Sequence, residues 1–464
     1  MTIPYKLFKQ KAKNLSPTKI YRQLSGKKKF LLESAFQHEQ KGKFSFIGAN
    51  PYQEIIGKEN TTTVFHHEKN KKENLQQKPL SYLKKHLPKL NFDLPFPFYG
   101  GAIGYVGYNF IQKFTHMNKT LTDDQHMPDI HFMLYKDVIV FDHTNNLIYL
   151  IVMNLDNHPE TLLNKRLKKL QHALKENKNT LVHKVEKVDF QPEETKEAFI
   201  AKIKTAKAAL QQKNLDQVVL SQRLQAKMNG DPLSFYQNLR KANASPYMFY
   251  IDFEDYLILG ASPECLVQTN QDTVITNPIA GTRPRSHNHT KDDALAKDLL
   301  LDKKEIDEHQ MLVELSKQDL SRVCEVGSIS TPTYMTVEKY QHVMHIVSEV
   351  HGKLKSKCTS IDALQACLPA GTVSGSPKGK AMQLINQLEE KRRGVYGGGI
   401  GYINFNHNLN MALAIRSLII KNDTAYLQVG AGIVRDSIPE KEYEETLHKA
   451  RSLMEVSHFQ SAHE

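Results

Sequence analysis

The chain has 464 residues, 40% hydrophobic and 24% charged, which as a length prior allows two to three domains or one large fused one with ample core. Its formal net charge of +12 lies largely in scattered lysines on polar stretches such as KNKK and KENK, a solvated face; a basic nucleic-acid-binding protein is only a remote alternative, without a binding motif or a basic–aromatic stripe. The four cysteines, Cys265, Cys324, Cys358 and Cys367, are far apart with no C-x-x-C, which argues against a zinc site or a disulfide frame and for a reduced cytoplasmic compartment.

Met1–Asn14 has no apolar h-region, and no run reaches the roughly 18 apolar residues of a membrane span, so a soluble cytoplasmic protein is expected, with no nucleic-acid or membrane partner. FLLESAFQ and FSFIGANP, split by the turn EQKGK, predict a strand pair. Thr61–Lys89 is polar and predicts an exposed loop leading into a helix around Leu80–Leu87. Pro95–Tyr108, PFPFYGGAIGYVGY, joins aromatics to glycines and predicts strand or turn with close backbone approach. No G-x-G-x-x-G opens a helix and no Walker A pattern occurs, so nucleotide-binding folds gain little support. LYKDVIVFDH and NLIYLIVMN predict a hairpin around Thr144–Asn146. Pro159–Asn179 predicts a lysine-rich amphipathic helix, and Thr180–Pro192 is the candidate boundary between an N-terminal lobe, 1–190, and a second lobe, 191–464, structurally intertwined with it.

In the second half VVLSQRLQAKM, PYMFYIDFE, YLILGASPECLVQT and TVITNPIAGTRPR are strand-like. Two long helices are predicted next, about 293–323 and 336–354. Within the first, Asp302–Arg322 sets Glu305, Glu308, Leu312, Leu315 and Asp319 at spacings of three and four, so two acids head an apolar stripe. Acids there suggest a polar site at the core's edge. Ser376 is read as the cap of a helix opening at Pro377 and ending at Gly394. YGGGIGYINF, LNMALAIRSLIIKN and TAYLQVGAGIVR predict further strands. The last helix, Glu440–Arg451, repeats the acid pattern with Glu442 and Glu445 at i, i+3 and Lys449 one turn on. Runs of strands broken by helices without strict alternation predict an α+β fold: a two-lobed scaffold of largely antiparallel sheets packed as a sandwich with helices outside.

Four glutamates at two helix starts repel unless a cation lies between them. Oxygen ligands without thiolate favour a hard ion, and Mg²⁺ takes one or two carboxylates and leaves positions for substrate oxygens. Gly430-Ala431-Gly432 and the Gly371-Thr372 turn offer backbone N–H groups to an anion, and Arg416 and Lys449 add charge. A small, multiply carboxylated substrate is the natural inference.

The segments LLES, FSFIG, ASPE, PIAGTRPR, DKKEIDEHQMLVEL, HVMHIVSEVHGKL, PAGTVSGSPK, YGGGIGY, AIRS and GAGIVRDSIPEKEYEETLHKA run in order over about residues 25–456. Together they resemble the chorismate-utilising enzymes, most of all the anthranilate synthase component I family. The resemblance implies Mg²⁺-dependent conversion of chorismate to an aromatic or amino-substituted product. It implies Glu308 and Glu445 as Mg²⁺ ligands, supported through water by Glu305 and Glu442. Glu264 matches the general acid that protonates the departing 4-hydroxyl, a role that calls for a raised pKa. Gly281 and Thr282 match substrate contacts near that centre, and His345 matches the residue of aromatisation with loss of pyruvate. Thr372, Tyr396, Arg416, Gly430, Gly432 and Lys449 match the positions that hold the substrate's carboxylates and enolpyruvyl group; an arginine can do so bidentately.

Relatives that add water to chorismate carry a lysine base where this chain has Gln217. Relatives that make aminodeoxychorismate usually carry a lysine nucleophile where it has Ala280. A neutral amide cannot deprotonate water, but ammonia is already a nucleophile. Ammonia attack at C2 and pyruvate elimination to anthranilate is therefore the favoured reading, with an aminodeoxychorismate synthase component I of folate biosynthesis as the alternative. No cysteine lies in a G-x-C-x-G setting, so the ammonia is expected from a glutamine amidotransferase partner subunit. Leu32, Glu33 and Ser34 of LLES, with Pro246, Tyr247 and Met248, match the pocket through which tryptophan inhibits these synthases. Glu314, Lys317, Gln318 and Ser321 depart from the family's usual residues after the acidic pair, and Asn109 replaces a common acid after GYVGY.

Overall fold

The computed structural model describes residues 4–34, 42–110, 119–175, 188–212, 215–340 and 343–458. Two large antiparallel sheets carry the fold. The first runs, in hydrogen-bonded order, through Tyr5–Lys11, Leu147–Met153, Asp137–Asp142, Phe44–Gly48, Phe30–Glu33, Tyr247–Asp252, Leu257–Ser262, Ser417–Lys421, Thr424–Ile433, Gln217–Lys227 and Gln191–Pro192. The second runs through Ile279–Pro284, Val343–Lys353, Thr273–Thr276, Cys265–Asn270, Leu409–Leu413, Gly399–Asn404, Gly101–Val106, Ile130–Tyr135, Gln53–Lys58, Thr61–His66 and Lys71–Leu75. The α+β sandwich read from the strand runs is the fold. Its largest core joins both inner faces, with Phe30, Phe46 and Ile258 of the first sheet against Ile103, Phe132 and Met411 of the second. Helices Pro232–Ala242 and Pro439–Met454 cover the outer face of the first sheet, and Lys303–Ser321 packs on the second through Ala280, Leu312 and Leu315.

The glycine-rich stretch behaves as its composition predicts. A Cβ on Gly104 would stand 1.9 Å from the His131 carbonyl oxygen, so the neighbouring strand approaches to a distance that only glycine permits. The FLLE and FSFIG strands pair, and the hairpin around Thr144–Asn146 forms. The helix predicted at Pro159–Asn179 spans Glu160–Ala173. Of the segment expected as a boundary, Thr180–Pro192, residues 180–187 lie outside the described residues.

Three expectations are corrected. The polar loop expected from Thr61 contains an edge hairpin, Thr61–His66 with Lys71–Leu75; Thr62 and Val64 point inward while the other face meets solvent, so little apolar signal is left. The helix expected at 336–354 is two strands, Ser330–Lys339 and Val343–Lys353. Val343, Ile346, Val347, Val350 and Leu354 recur at helical spacing by coincidence, and a strand buried on both faces loses the alternation that would betray it. Ser376 does not cap a helix: it lies in a short strand against Gln217, its hydroxyl bonded to Asp216, and the helix is Lys378–Leu388. That helix stops before Glu389, which is extended, and Gly394 serves a later turn at φ +61°. Asn109 accepts the Gly394 amide there at 2.8 Å. No helix among the described residues is long and apolar enough to cross a membrane.

Candidate active site

Two corners where the chain crosses between the sheets supply a buried acid and a half-buried cation. Glu264 joins Leu257–Ser262 of the first sheet to Cys265–Asn270 of the second, and Arg416 joins Leu409–Leu413 of the second to Ser417–Lys421 of the first. The Ala261 amide donates to the Arg416 carbonyl at 3.0 Å, which holds the corners side by side. Glu264 is 6% exposed, and burial pushes its carboxyl up to about 8 against the Thr372 hydroxyl, which donates to it at 2.8 Å, and the charges of Arg416 and Lys449. The Arg416 guanidinium has no hydrogen-bond or ion-pair partner among the described residues and loses part of its basicity to burial. A half-buried cation with no ion-pair partner among the described residues is poised for an anionic ligand.

His345 stands on Val343–Lys353. Its Nδ1 lies 2.8 Å from the Gly281 carbonyl and 3.1 Å from the Thr282 hydroxyl, while Nε2 is buried without a partner. The carbonyl can only accept, so Nδ1 carries the proton and Nε2 keeps its lone pair. Burial, then the Arg416 and Lys449 charges, pull the ring down to about 4, so it is neutral near pH 7. Gly281 takes φ +67°, and a Cβ there would stand 3.2 Å from Glu305 Oε2.

The helix expected over about 293–323 is two, His289–Leu299 and Lys303–Ser321, and the acidic one starts at a cap of its own. Asp302 accepts the Lys304 and Glu305 amides at 3.1 and 3.4 Å, and Arg283 of the PIAGTRPR strand end pairs with Asp302 at 2.7 Å. Glu308 accepts from Gln217 Nε2 at 2.8 Å, and Gly432 leaves room for that amide, which a Cβ would approach to 2.5 Å. On the other helix Glu445 pairs with Lys449 at 2.7 Å, and Lys449 donates to the Gly430 carbonyl at 3.0 Å. The Tyr396 hydroxyl lies 2.7 Å from where a Gly430 Cβ would be. Burial and then the Glu308 charge raise Glu305; burial raises Glu442, with Glu445 adding to it against a bond from Ser437. The Lys304 charge acts on both Glu305 and Glu442, so the two helix starts face each other.

Among the described residues no three His, Cys, Asp or Glu side chains stand together as a closed metal-binding group. The donor chemistry nevertheless fits a hard divalent cation: four carboxylates with no thiolate, two of them raised partly by their neighbours' charge, and the buried Gln217 Oε1 without a partner.

The six residues matched to a tryptophan pocket lie together on and beside the adjacent strands Phe30–Glu33 and Tyr247–Asp252. Glu33, buried, accepts from Ser45 at 3.1 Å and Tyr236 at 3.0 Å, with Arg240 at 3.4 Å; the Ser34 hydroxyl is buried without a partner. Tyr247 hydrogen-bonds Cys265, the residue after Glu264.

Sequence reasoning missed Tyr340, edge-on to His345 at 5.5 Å and within reach of the Arg416 charge. It missed a small cleft lined by Glu264, Thr276, Ser316, Asp319 and Thr372, assembled from distant segments. It also missed Arg393, because EEKRRG reads as a solvated face while this arginine is 1% exposed.

The sequence profile described as chorismate binding enzyme matches residues 27–455. The chain belongs to the chorismate-binding enzyme family. It is 39% identical over 457 residues to an anthranilate synthase component 1 of Lactococcus lactis, covering 96% of this chain and 98% of that one. It is also 39% identical over 456 residues to one of Aquifex aeolicus, covering 95% and 92%. The solved structure of anthranilate synthase component I from Streptococcus pneumoniae superposes with a TM-score of 0.83 at 38% identity, covering 95% of this chain and 97% of that one. The menaquinone-specific isochorismate synthase of Escherichia coli, at 18% identity, shares the fold with a TM-score of 0.74, covering 98% and 94%.

Proposed function

We propose that this family member is the aminase component of an anthranilate synthase, converting chorismate and ammonia to anthranilate, pyruvate and water in tryptophan biosynthesis. The observation that carries this reading is Gln217. A neutral amide, bonded to Glu308, stands where a water-adding relative needs a lysine base, so the nucleophile must need no activation. Ala280 is buried against Leu312 and Leu315, which leaves an apolar contact where a lysine nucleophile would act.

On this reading Arg416, Lys449, Thr372, Tyr396 and the Gly430–Gly432 backbone hold the substrate's carboxylates and enolpyruvyl ether. Mg²⁺, held by Glu308 and Glu445 with Glu305 and Glu442 behind them, would neutralise a substrate carboxylate and fix its orientation. Glu264, still protonated near neutral pH, gives its proton to the departing 4-hydroxyl, which leaves as water while ammonia bonds to C2. His345 Nε2, neutral and unpartnered, then takes the C2 proton as the enolpyruvyl ether bond breaks, releasing pyruvate and forming the aromatic ring. Gly281 and Thr282 fix the imidazole for that step.

The ammonia comes from a glutamine amidotransferase partner subunit, and tryptophan binds at Leu32, Glu33, Ser34, Pro246, Tyr247 and Met248 as inhibitor. The division into lobes 1–190 and 191–464 and the cytoplasmic location belong to the same proposal. The test is to incubate the purified chain with chorismate, Mg²⁺ and ammonium at mildly alkaline pH. Blue anthranilate fluorescence is expected; a non-aromatic amino product that keeps its enolpyruvyl group would point to the aminodeoxychorismate alternative, and no turnover with or without a partner would refute both.

A further inference from the structure

Arg393 has one of the largest fully buried side chains, in a segment to which no role has been attached. A buried guanidinium is tolerated only when its donors are met. Here Nε donates to Glu389 Oε2 at 2.8 Å, Nη2 to Glu389 Oε1 at 2.6 Å and to the Val219 carbonyl at 2.8 Å, and Nη1 to the Val373 carbonyl at 2.6 Å. The guanidinium lies 4.6 Å from the Tyr108 ring centre and 5.6 Å from that of Tyr396. Glu389 is fixed in turn by the Ser221 amide and hydroxyl at 3.0 and 2.8 Å, and Gln428 donates to that hydroxyl at 2.8 Å.

Three of the segments this one side chain reaches, those of Val373, Val219 and Tyr396, lead to residues of the candidate site. Val373 follows Thr372, whose hydroxyl bonds Glu264. Val219 lies on the strand of Gln217 and pairs in register with Gly432. Tyr396 stands over Gly430. Arg393 itself touches none of the reacting groups.

We propose that Arg393, clamped by Glu389, is a positioning residue that locks the Thr372 turn, Tyr396 and the Gln217 strand into one rigid frame around the substrate. The inference rests on the proposed function for its kinetic arm only. Lysine keeps the charge but cannot satisfy a carboxylate and two carbonyls in one plane. Arg392 is the control, because among the described residues its guanidinium faces Asp123 and Asp129, at 3.5 and 3.6 Å, and none of the site's segments.

Two readouts test it. In ligand-free protein, hydrogen exchange at the Val373 and Ser374 amides, which bond Ala370 and Gly371, should quicken in Arg393→Lys and stay unchanged in Arg392→Lys. In turnover, Arg393→Lys should lower kcat/KM by about a hundredfold. It should also move the alkaline limb of the pH profile upward, because a loosened Thr372 bond no longer favours ionised Glu264. Thr372→Val should then cost less in the Arg393→Lys background than alone. Unchanged exchange at the turn, or losses that multiply fully, would overturn the proposal. A wild-type protein that turns over no chorismate would sink the functional reading and leave the exchange result to decide. Where Arg393→Lys yields no folded protein, Glu389→Gln carries both readouts with the same expectations.

Discussion

At the scale of single residues, the proposed chemistry turns on which proton sits where. Glu264 must be protonated to act, so kcat/KM should hold at neutral pH and fall as pH rises through about 8, its raised value in the free protein. Glu264→Gln can still accept the Thr372 hydroxyl but has no proton to give. It should lose on the order of 10²–10⁴-fold in kcat with an unchanged melting temperature; retained turnover would exclude Glu264 as the acid. Glu264 and His345 were legible in the sequence as members of ASPE and HVMHI. The raised pKa of Glu264 was expected from its role, and burial supplies it; the lowered one of His345 was not, because it comes from burial and from Arg416 and Lys449, which converge on the ring only in the folded chain.

At the scale of elements, the two acidic helix starts carry the argument. Glu305 and Glu442 have folded pKa values above their unfolded ones, so each costs stability as pH rises from the ordinary carboxylate range through its raised value, and costs nothing below it. Without metal, thermal stability should therefore decline across that window, and Mg²⁺ should restore it. Glu308→Gln should abolish the Mg²⁺-induced rise in melting temperature, as read by calorimetry; an undiminished rise would remove Glu308 from the metal site. The strands Phe30–Glu33 and Tyr247–Asp252 allow a second measurement, because the chain contains no tryptophan. The emission of added tryptophan can be followed with no tryptophan of the protein beneath it, and it should shift on binding and stop shifting in Glu33→Ala. Helix Lys303–Ser321 could be read in advance because its cap and its apolar stripe lie within one stretch. Strand Val343–Lys353 could not, since its identity depends on partner strands on both edges that periodicity does not see.

At the scale of the whole molecule, each half of the chain leaves sheet edges that the other completes. Phe30–Glu33 pairs with Tyr247–Asp252, and Gly101–Val106 with Gly399–Asn404. Residues 1–190 expressed alone should therefore fail to give a protein with cooperative melting, and co-expression with 191–464 should recover one. The α+β class was legible from the strand runs and their lack of alternation with helices. The crossings at Glu264 and Arg416, which bring the two sheets to one site, were not, since nothing local marks a strand as belonging to one sheet or the other. The central claim is that this site joins ammonia, not water, to chorismate and then expels pyruvate. The most direct measurement supplies chorismate, Mg²⁺ and isotopically labelled ammonium and identifies the products by mass. The account predicts labelled anthranilate and pyruvate in equal amounts; an unlabelled hydroxylated product, or a labelled one that retains its enolpyruvyl group, would contradict it.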